Sequence, residues 1–327
     1  MHQSLVPADS IWTWKRPDTP SLQVAWQCHG DLPERVGQQQ FPAMVLIHGF
    51  GASGNHWRHN LPVLGGHTRT YALDLIGFGA SSQPQALLPG EQPASDQANG
   101  NTALAYSFDL WGTQVADFCK SVVEGPVLLV GNSIGGVVAL RAAQLLEHQC
   151  KGVVLIDCAQ RLMDDKQLAT QPAWMAWIRP LLKTMVRQRW LSTALFRNAA
   201  RPGVIRSVLK QAYPSGANIN DDLVDLLFQP TQREGAAEAF RGFINLFDDY
   251  LAPQLMEELA IPVDLIWGEK DPWEPIAEAR CWRNSINCVQ TLNVISNAGH
   301  CPHDEAPGQV NPVLQRLINP QPAQQAT

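Results

Sequence analysis

Ser133, Asp271 and His300 occur in an order from which nucleophilic acyl transfer can be assembled. A serine becomes nucleophilic when a histidine takes its proton, and the histidine does so best when a carboxylate holds its ring in one tautomer. Ser133 is the centre of Gly131-Asn132-Ser133-Ile134-Gly135, with the apolar run Val127-Leu128-Leu129-Val130 in front and Gly136-Val137-Val138-Ala139-Leu140 behind. This reads as strand, sharp turn and helix. Glycines leave room for the turn, strain lifts the hydroxyl clear of the sheet, and the helix aims its free amides and positive dipole end at the same point. Asp271 follows the strand-like run Pro262 to Trp267, where an orienting acid belongs, and His300 follows the last such run, Gln290 to Ile295, where the general base belongs. Asp157, just past Gly152 to Ile156, is the rival acid, and His303 is the rival base. The apolar run Phe41 to Ile47 ends in His48-Gly49-Phe50-Gly51, so the backbone amides of Phe50 and Ile134 are the expected oxyanion donors.

The elements that must position these groups are legible around them. Trp12 and Trp14 alternate with polar residues, as do Leu22, Val24 and Trp26, which predicts an antiparallel hairpin at a sheet edge. Residues 41–47, 71–76, 127–130, 152–157, 262–267 and 290–295 read as buried strands, and Phe108, Trp111, Val115, Phe118 and Val122 recur at helical spacing. His56 to Pro62 predicts a first helix, and Asp74 with Gly77 and Gly79 reads as loop structure rather than catalysis. Residues 83–103, poor in large apolar side chains, read as a flexible surface insertion. Between 160 and 255 the strand pattern stops and amphipathic helices cut by prolines take over. The chain order serine, acid, histidine is that of the α/β-hydrolase fold. The expected architecture is thus a mostly parallel central sheet in two parts, residues 1–159 and 256–327, with a helical cap at 160–255 inserted over the site.

Composition narrows the function. A net charge of -6 without a basic patch of the kind nucleic acids require argues against nucleic acid as a partner. Seven cysteines with no Cys-x-x-Cys pair indicate neither a disulfide framework nor a zinc site, and acyl transfer through a serine needs no cofactor or metal. The N-terminal residues lack a signal or transit pattern, and the most apolar window, 126–146, is broken by Asn132, Ser133 and Arg141, so a cytoplasmic protein is expected. Trp174, Trp177, Trp190 and Trp273 fall outside the core runs, where they could line an apolar ligand site or touch a membrane surface peripherally. A serine at the elbow disfavours chemistry that needs a carboxylate nucleophile, as in haloalkane dehalogenases and epoxide hydrolases.

Several blocks carry a closer likeness: His48-Gly49-Phe50-Gly51-Ala52-Ser53, Asp74-Leu75-Ile76-Gly77-Phe78-Gly79, Gly268-Glu269-Lys270-Asp271-Pro272-Trp273-Glu274-Pro275 and Gly299-His300-Cys301-Pro302-His303-Asp304-Glu305-Ala306-Pro307. With the elbow they resemble the pheophytinase and chlorophyll dephytylase family from about His48 to Pro312. The resemblance implies hydrolysis of the ester joining phytol to chlorophyll or pheophytin. It gives Ser133 the role of nucleophile, His300 that of base and Asp271 that of its orienter, and it leaves open whether the cytoplasmic protein is peripheral to a thylakoid membrane. Other readings are a carbon-carbon bond hydrolase or general carboxylesterase on another apolar substrate, and a hydrolase-fold protein that binds an apolar ligand without turning it over.

Overall fold

The apolar runs of the sequence assemble into one eight-stranded sheet. In a computed structural model, residues 11–17, 19–31, 35–36, 39–40, 42–92, 103–161, 164–170 and 173–318 are described. The strands are β1 (Ile11–Trp14), β2 (Leu22–His29), β3 (Ala43–Ile47), β4 (Thr70–Leu73), β5 (Val127–Asn132), β6 (Cys150–Ile156), β7 (Val263–Gly268) and β8 (Val289–Ile295). They lie in the order β1-β2-β4-β3-β5-β6-β7-β8. The first two form the expected edge hairpin, with Trp14 opposite Leu22, and β2 meets β4 antiparallel; every later pairing is parallel.

The helices are α1 (Leu61–Gly65), α2 (Phe108–Phe118), α3 (Ile134–Leu146), α4 (Ala173–Arg187), α5 (Arg189–Ala199), α6 (Pro202–Ala212), α7 (Asp221–Phe228), α8 (Ala236–Ile244), α9 (Ala252–Glu257), α10 (Ile276–Ser285), α11 (Pro302–Glu305) and α12 (Pro307–Ile318). Because successive strand residues face opposite ways, each central strand feeds two cores. Val45, Ile47, Leu129, Val153 and Leu155 pack with Trp111, Phe118 and Val137 of α2 and α3. Met44, Leu46, Val130 and Ile156 pack with Trp57 and, from α12, Val310 and Leu314. Helix α2 starts where Ser107 Oγ accepts the Leu110 amide at 3.0 Å, and it runs on through a wider turn at Cys119–Val123. Among the described residues no strand falls between β6 and β7, a stretch occupied by α4 to α9, and no helix is long and apolar enough to cross a membrane. All seven cysteines are free thiols.

Two expectations need correction. The strand read as 71–76 ends at Leu73, because Asp74 turns its carboxylate into the loop. Its two oxygens accept the amides of Gly54 and Ala80, both at 2.7 Å, and its carbonyl accepts Ser81 Oγ at 2.7 Å. Gly79 must be glycine here, with φ of +55° and space so tight that a Cβ would lie 2.0 Å from Asp74 Oδ2. The stretch 83–103 is not loose at its start: Ala86 and Leu88 are buried, Gln85–Ala86 pairs with Ala103–Leu104, and Glu91 forms an ion pair with the buried Arg241. Residues 93–102 lie outside the described residues. Asp74→Asn sets an NH2 donor against one of two amide donors, and is expected to cost about 2 kcal/mol. The check is a lower urea midpoint at unchanged slope.

Candidate active site

Strand β5 ends at Asn132 and α3 opens at Ile134, which leaves Ser133 alone to make the turn. Its φ of 55° and ψ of -124° are a conformation that side chains seldom adopt, held because both flanking elements are buried. The glycines are required by contact: a Cβ on Gly131 would stand 2.1 Å from the Gly135 carbonyl oxygen, and one on Gly135 would stand 2.4 Å from that of Ile47. The loop after β3 lies against this turn, since a Cβ on Gly49 would be 3.2 Å from Ser133 Cβ. Phe50, Ser133 and Ile134 therefore line one cavity. Ile134 is the first residue of α3, where an amide has no acceptor within the helix.

Asp271 follows β7 and His300 follows β8, and the structure brings their side chains together: His300 Nδ1 donates to Asp271 Oδ2 at 2.9 Å. The other carboxylate oxygen accepts the amides of Trp273 at 2.8 Å and Glu274 at 3.1 Å. Burial acts to raise the Asp271 carboxyl, but its hydrogen bond to His300 and the charge of that ring hold it below the ordinary range. Asn132 links this pair to the elbow by donating to the carbonyls of His300 at 3.0 Å and Ile156 at 3.1 Å. His300 also lines the cavity, on the same wall system as Ser133.

The rivals are placed differently. Asp157 is fully buried behind Asp271, accepts the Gly268 amide at 2.9 Å and has no hydrogen bond to His300. Burial first, and then the charge of Asp271, push its carboxyl well above the usual range, and the two carboxyls share a hydrogen bond. Asp157 Oδ2 meets no donor among the described residues, which leaves it available to share a proton with Asp271. His303 is fully buried against Trp57 and His56, outside the cavity, and burial lowers it well below the usual imidazole range.

The cavity has a volume of about 500 Å³ and a mostly apolar wall that includes Phe78, Leu209, Phe240, Phe243 and Trp273. Phe50 stacks on Phe243 with centroids 4.2 Å apart, and Trp273 sets its ring edge-on to His300 at 4.8 Å. Strand ends supply the polar groups, while α5 to α8 supply most of the apolar wall.

A model of the alpha/beta hydrolase family matches residues 44–313. The chain belongs to this family. Among curated proteins it is similar to the chloroplastic pheophytinase of Arabidopsis thaliana, with 28% identity over 315 residues; the match covers 85% of this chain and 61% of that protein, so the chain spans less than two thirds of that relative's length. It is also similar to the 2-hydroxy-6-oxo-6-(2'-aminophenyl)hexa-2,4-dienoic acid hydrolase of Metapseudomonas resinovorans, at 22% identity over 244 residues covering 72% of this chain and 70% of that one. Among solved structures, an esterase from Thermogutta terrifontis superposes with a TM-score of 0.65 at 22% identity, covering 95% of this chain and 97% of that one, which shows the shared fold.

In this alpha/beta hydrolase, some residues of the site carried no role in the sequence. Glu274 lines the cavity and accepts the Gln160 amide at 2.8 Å, and burial pushes its carboxyl up to about 8 against the pull of that hydrogen bond. Its place one turn past the acid, in Asp271-Pro272-Trp273-Glu274, was the available signal. A second group ties α6 to the histidine loop: His56 Nε2 meets Tyr213 Oη at 2.9 Å, Tyr213 Oη donates to Asp304 Oδ2 at 2.9 Å, and the His300 amide donates to the Ala212 carbonyl at 2.9 Å. Nothing in the helical stretch around Tyr213 marks it in advance. Of the four peripheral tryptophans, Trp273 lines the cavity and Trp190 lies outside it, exposed; the side chains of Trp174 and Trp177 lie outside the described residues.

Proposed function

We propose that the protein is a serine esterase that cleaves a carboxylic ester through an acyl-enzyme, and that its substrate is the phytyl ester of a chlorophyll or pheophytin. The observation that carries the reaction class is the Asp271 to His300 hydrogen bond on the wall of the cavity that Ser133 also lines. In this reading Ser133 Oγ attacks the ester carbonyl while His300 Nε2 takes its proton. The Phe50 and Ile134 amides receive the negative charge that develops on the carbonyl oxygen. His300 then returns the proton to the leaving alkoxide, releasing the alcohol, and a water activated by the same nitrogen hydrolyses the acyl-serine. Asp271 holds Nδ1 protonated throughout, so Nε2 is the atom that faces the reaction. The stretch 160–255 serves as the cap, with α5 to α8 covering the cavity.

The pigment substrate is supported by the likeness to pheophytinase and by the apolar character of a cavity of about 500 Å³. The experiment is incubation of the purified protein with chlorophyll a and pheophytin a in detergent, following phytol. Release of phytol is expected, and the ratio of the two rates gives the preference for magnesium-bearing or magnesium-free pigment. The likeness to the dienoic acid hydrolase favours a second reading, cleavage of a carbon-carbon bond beside a carbonyl by the same residues. No phytol together with rapid turnover of such a diketone-like acid, or of a short nitrophenyl ester, would replace the pigment by that substrate.

A further inference from the structure

The helices beside the cavity mouth have a charge unlike the rest of the chain. Residues 166–220 hold nine of the 24 lysines and arginines and no aspartate or glutamate, whereas the remainder carries 15 basic against 30 acidic residues. Most of these cations are paired with acids from outside the stretch: Lys183 with Asp165, Arg189 with Glu238, Arg206 with Asp221. Arg197, Arg201 and Lys210 are exposed and make no ion pair among the described residues. Arg197 and Arg201 flank the junction of α5 and α6, and Lys210 lies in the last turn of α6.

The same helices leave their apolar side chains uncovered. Of ten exposed large hydrophobic residues among those described, six lie on α4 to α6, among them Leu181 at 62%, Trp190 at 71% and Leu195 at 45% exposure. Leu181 and Met185 are four apart and so share one face of α4. Val208 on α6 is exposed and also lines the cavity, as do Ala199 at the end of α5 and Trp273 beside His300. Apolar surface therefore runs from the lip of the cavity onto the outer side of helices that pack on one another, α4 on α5 and α5 on α6.

We propose that the α4 to α6 face docks on an anionic lipid bilayer, with the cavity mouth held against the membrane. Exposed apolar side chains interleaved with lysine and arginine on amphipathic helices are the composition that such a surface recruits. The acidic excess lies outside this stretch, 15 basic against 30 acidic residues, so the charge distribution favours approach to an anionic bilayer by this face. A second copy of the chain is a poor occupant, because it would set these cations against their own images. Docking stands on the surface alone. Its use, delivery of an apolar ester from the bilayer past Val208 and Ala199 to Ser133, rests on the esterase reading.

The test is sedimentation of the full chain with phosphatidylcholine vesicles, with and without phosphatidylglycerol. Binding is expected only with phosphatidylglycerol, weakening as salt rises. The triple variant Arg197→Gln, Arg201→Gln, Lys210→Gln is expected to bind about 100-fold more weakly, each cation contributing roughly a factor of five. Brominated lipid should quench tryptophan fluorescence, and much of that quenching should vanish in Trp190→Phe. Both variants should melt like the parent and hydrolyse a soluble nitrophenyl ester equally well, since none of these residues lines the cavity. No binding of the parent to phosphatidylglycerol vesicles, or equal binding by the triple variant, overturns the proposal. Vesicle binding by a protein that hydrolyses no ester would leave docking intact and remove the esterase instead.

Discussion

Ser133→Ala is expected to lower ester turnover by about 10⁶-fold in kcat, the scale of loss when a serine hydrolase is deprived of its nucleophile. The argument rests on what the turn leaves untouched. Alanine differs from serine only by the hydroxyl, so the backbone at φ 55° is as tolerable to it as before, and the surrounding Gly131, Gly135 and Gly49 contacts are unchanged. Melting temperature and binding of a non-hydrolysable apolar ester should therefore stay close to the parent values. The variant also separates the readings that compete. Both the ester and the carbon-carbon bond chemistries pass through Ser133 and both fall. A protein that only binds apolar ligands would show no turnover to lose. The decisive measurement is single-turnover hydrolysis with mass spectrometry of the intact chain: the parent should gain the acyl mass on Ser133 before steady state, and the variant should not. Turnover within tenfold of the parent would end the acyl-enzyme mechanism.

The sequence made the sheet and the elbow legible because both are set by short-range patterns. A parallel strand buried on both faces must be apolar throughout, so β3, β5 and β6 announce themselves. A turn as tight as the one at Ser133 admits only glycine two positions to each side, so Gly131 and Gly135 mark it. The strand read through Asp74 was one where local pattern misleads: Leu75 and Ile76 are buried, as strand residues would be, but long-range hydrogen bonds to Gly54 and Gln114 turn the chain first. Tyr213 and Glu274 were silent for a related reason. Their roles come from partners distant in the chain, with Tyr213 reaching Asp304 across 91 positions and Glu274 receiving the Gln160 amide across 114. No periodicity encodes such meetings. The basic, acid-free stretch at 166–220 was countable from the start, yet it gains meaning only when the folded chain sets it beside an open cavity lip.

Asp271→Asn is expected to lower kcat by about 10⁴-fold, while Asp157→Asn should change it by less than about tenfold; the pair decides between the two acids that the sequence offered. An asparagine at position 271 can present its NH2 to His300 Nδ1, which then loses its proton to Nε2, and a protonated Nε2 cannot accept the proton of Ser133. The carboxylate also stabilises the imidazolium that forms during attack, and an amide does so far less. At position 157 the physics runs the other way. Burial and the neighbouring Asp271 charge push that carboxyl well above the usual range, towards its neutral form, so a neutral amide of nearly the same shape is the least disruptive exchange there. The asparagine oxygen can still accept the Gly268 amide, and its NH2 can donate to Asp271. Asp157→Ala removes that donor as well and leaves the Gly268 amide buried without an acceptor, a cost of about 1–3 kcal/mol in stability. The rate series should thus run parent, Asp157→Asn, then Asp271→Asn far below. A large loss on Asp157→Asn with Asp271→Asn nearly silent would move the orienting acid to the end of β6, and with it the tautomer argument for His300. The geometry makes the first order the expected one, because among the described residues a single carboxylate oxygen, Asp271 Oδ2, stands at hydrogen-bond distance from the ring.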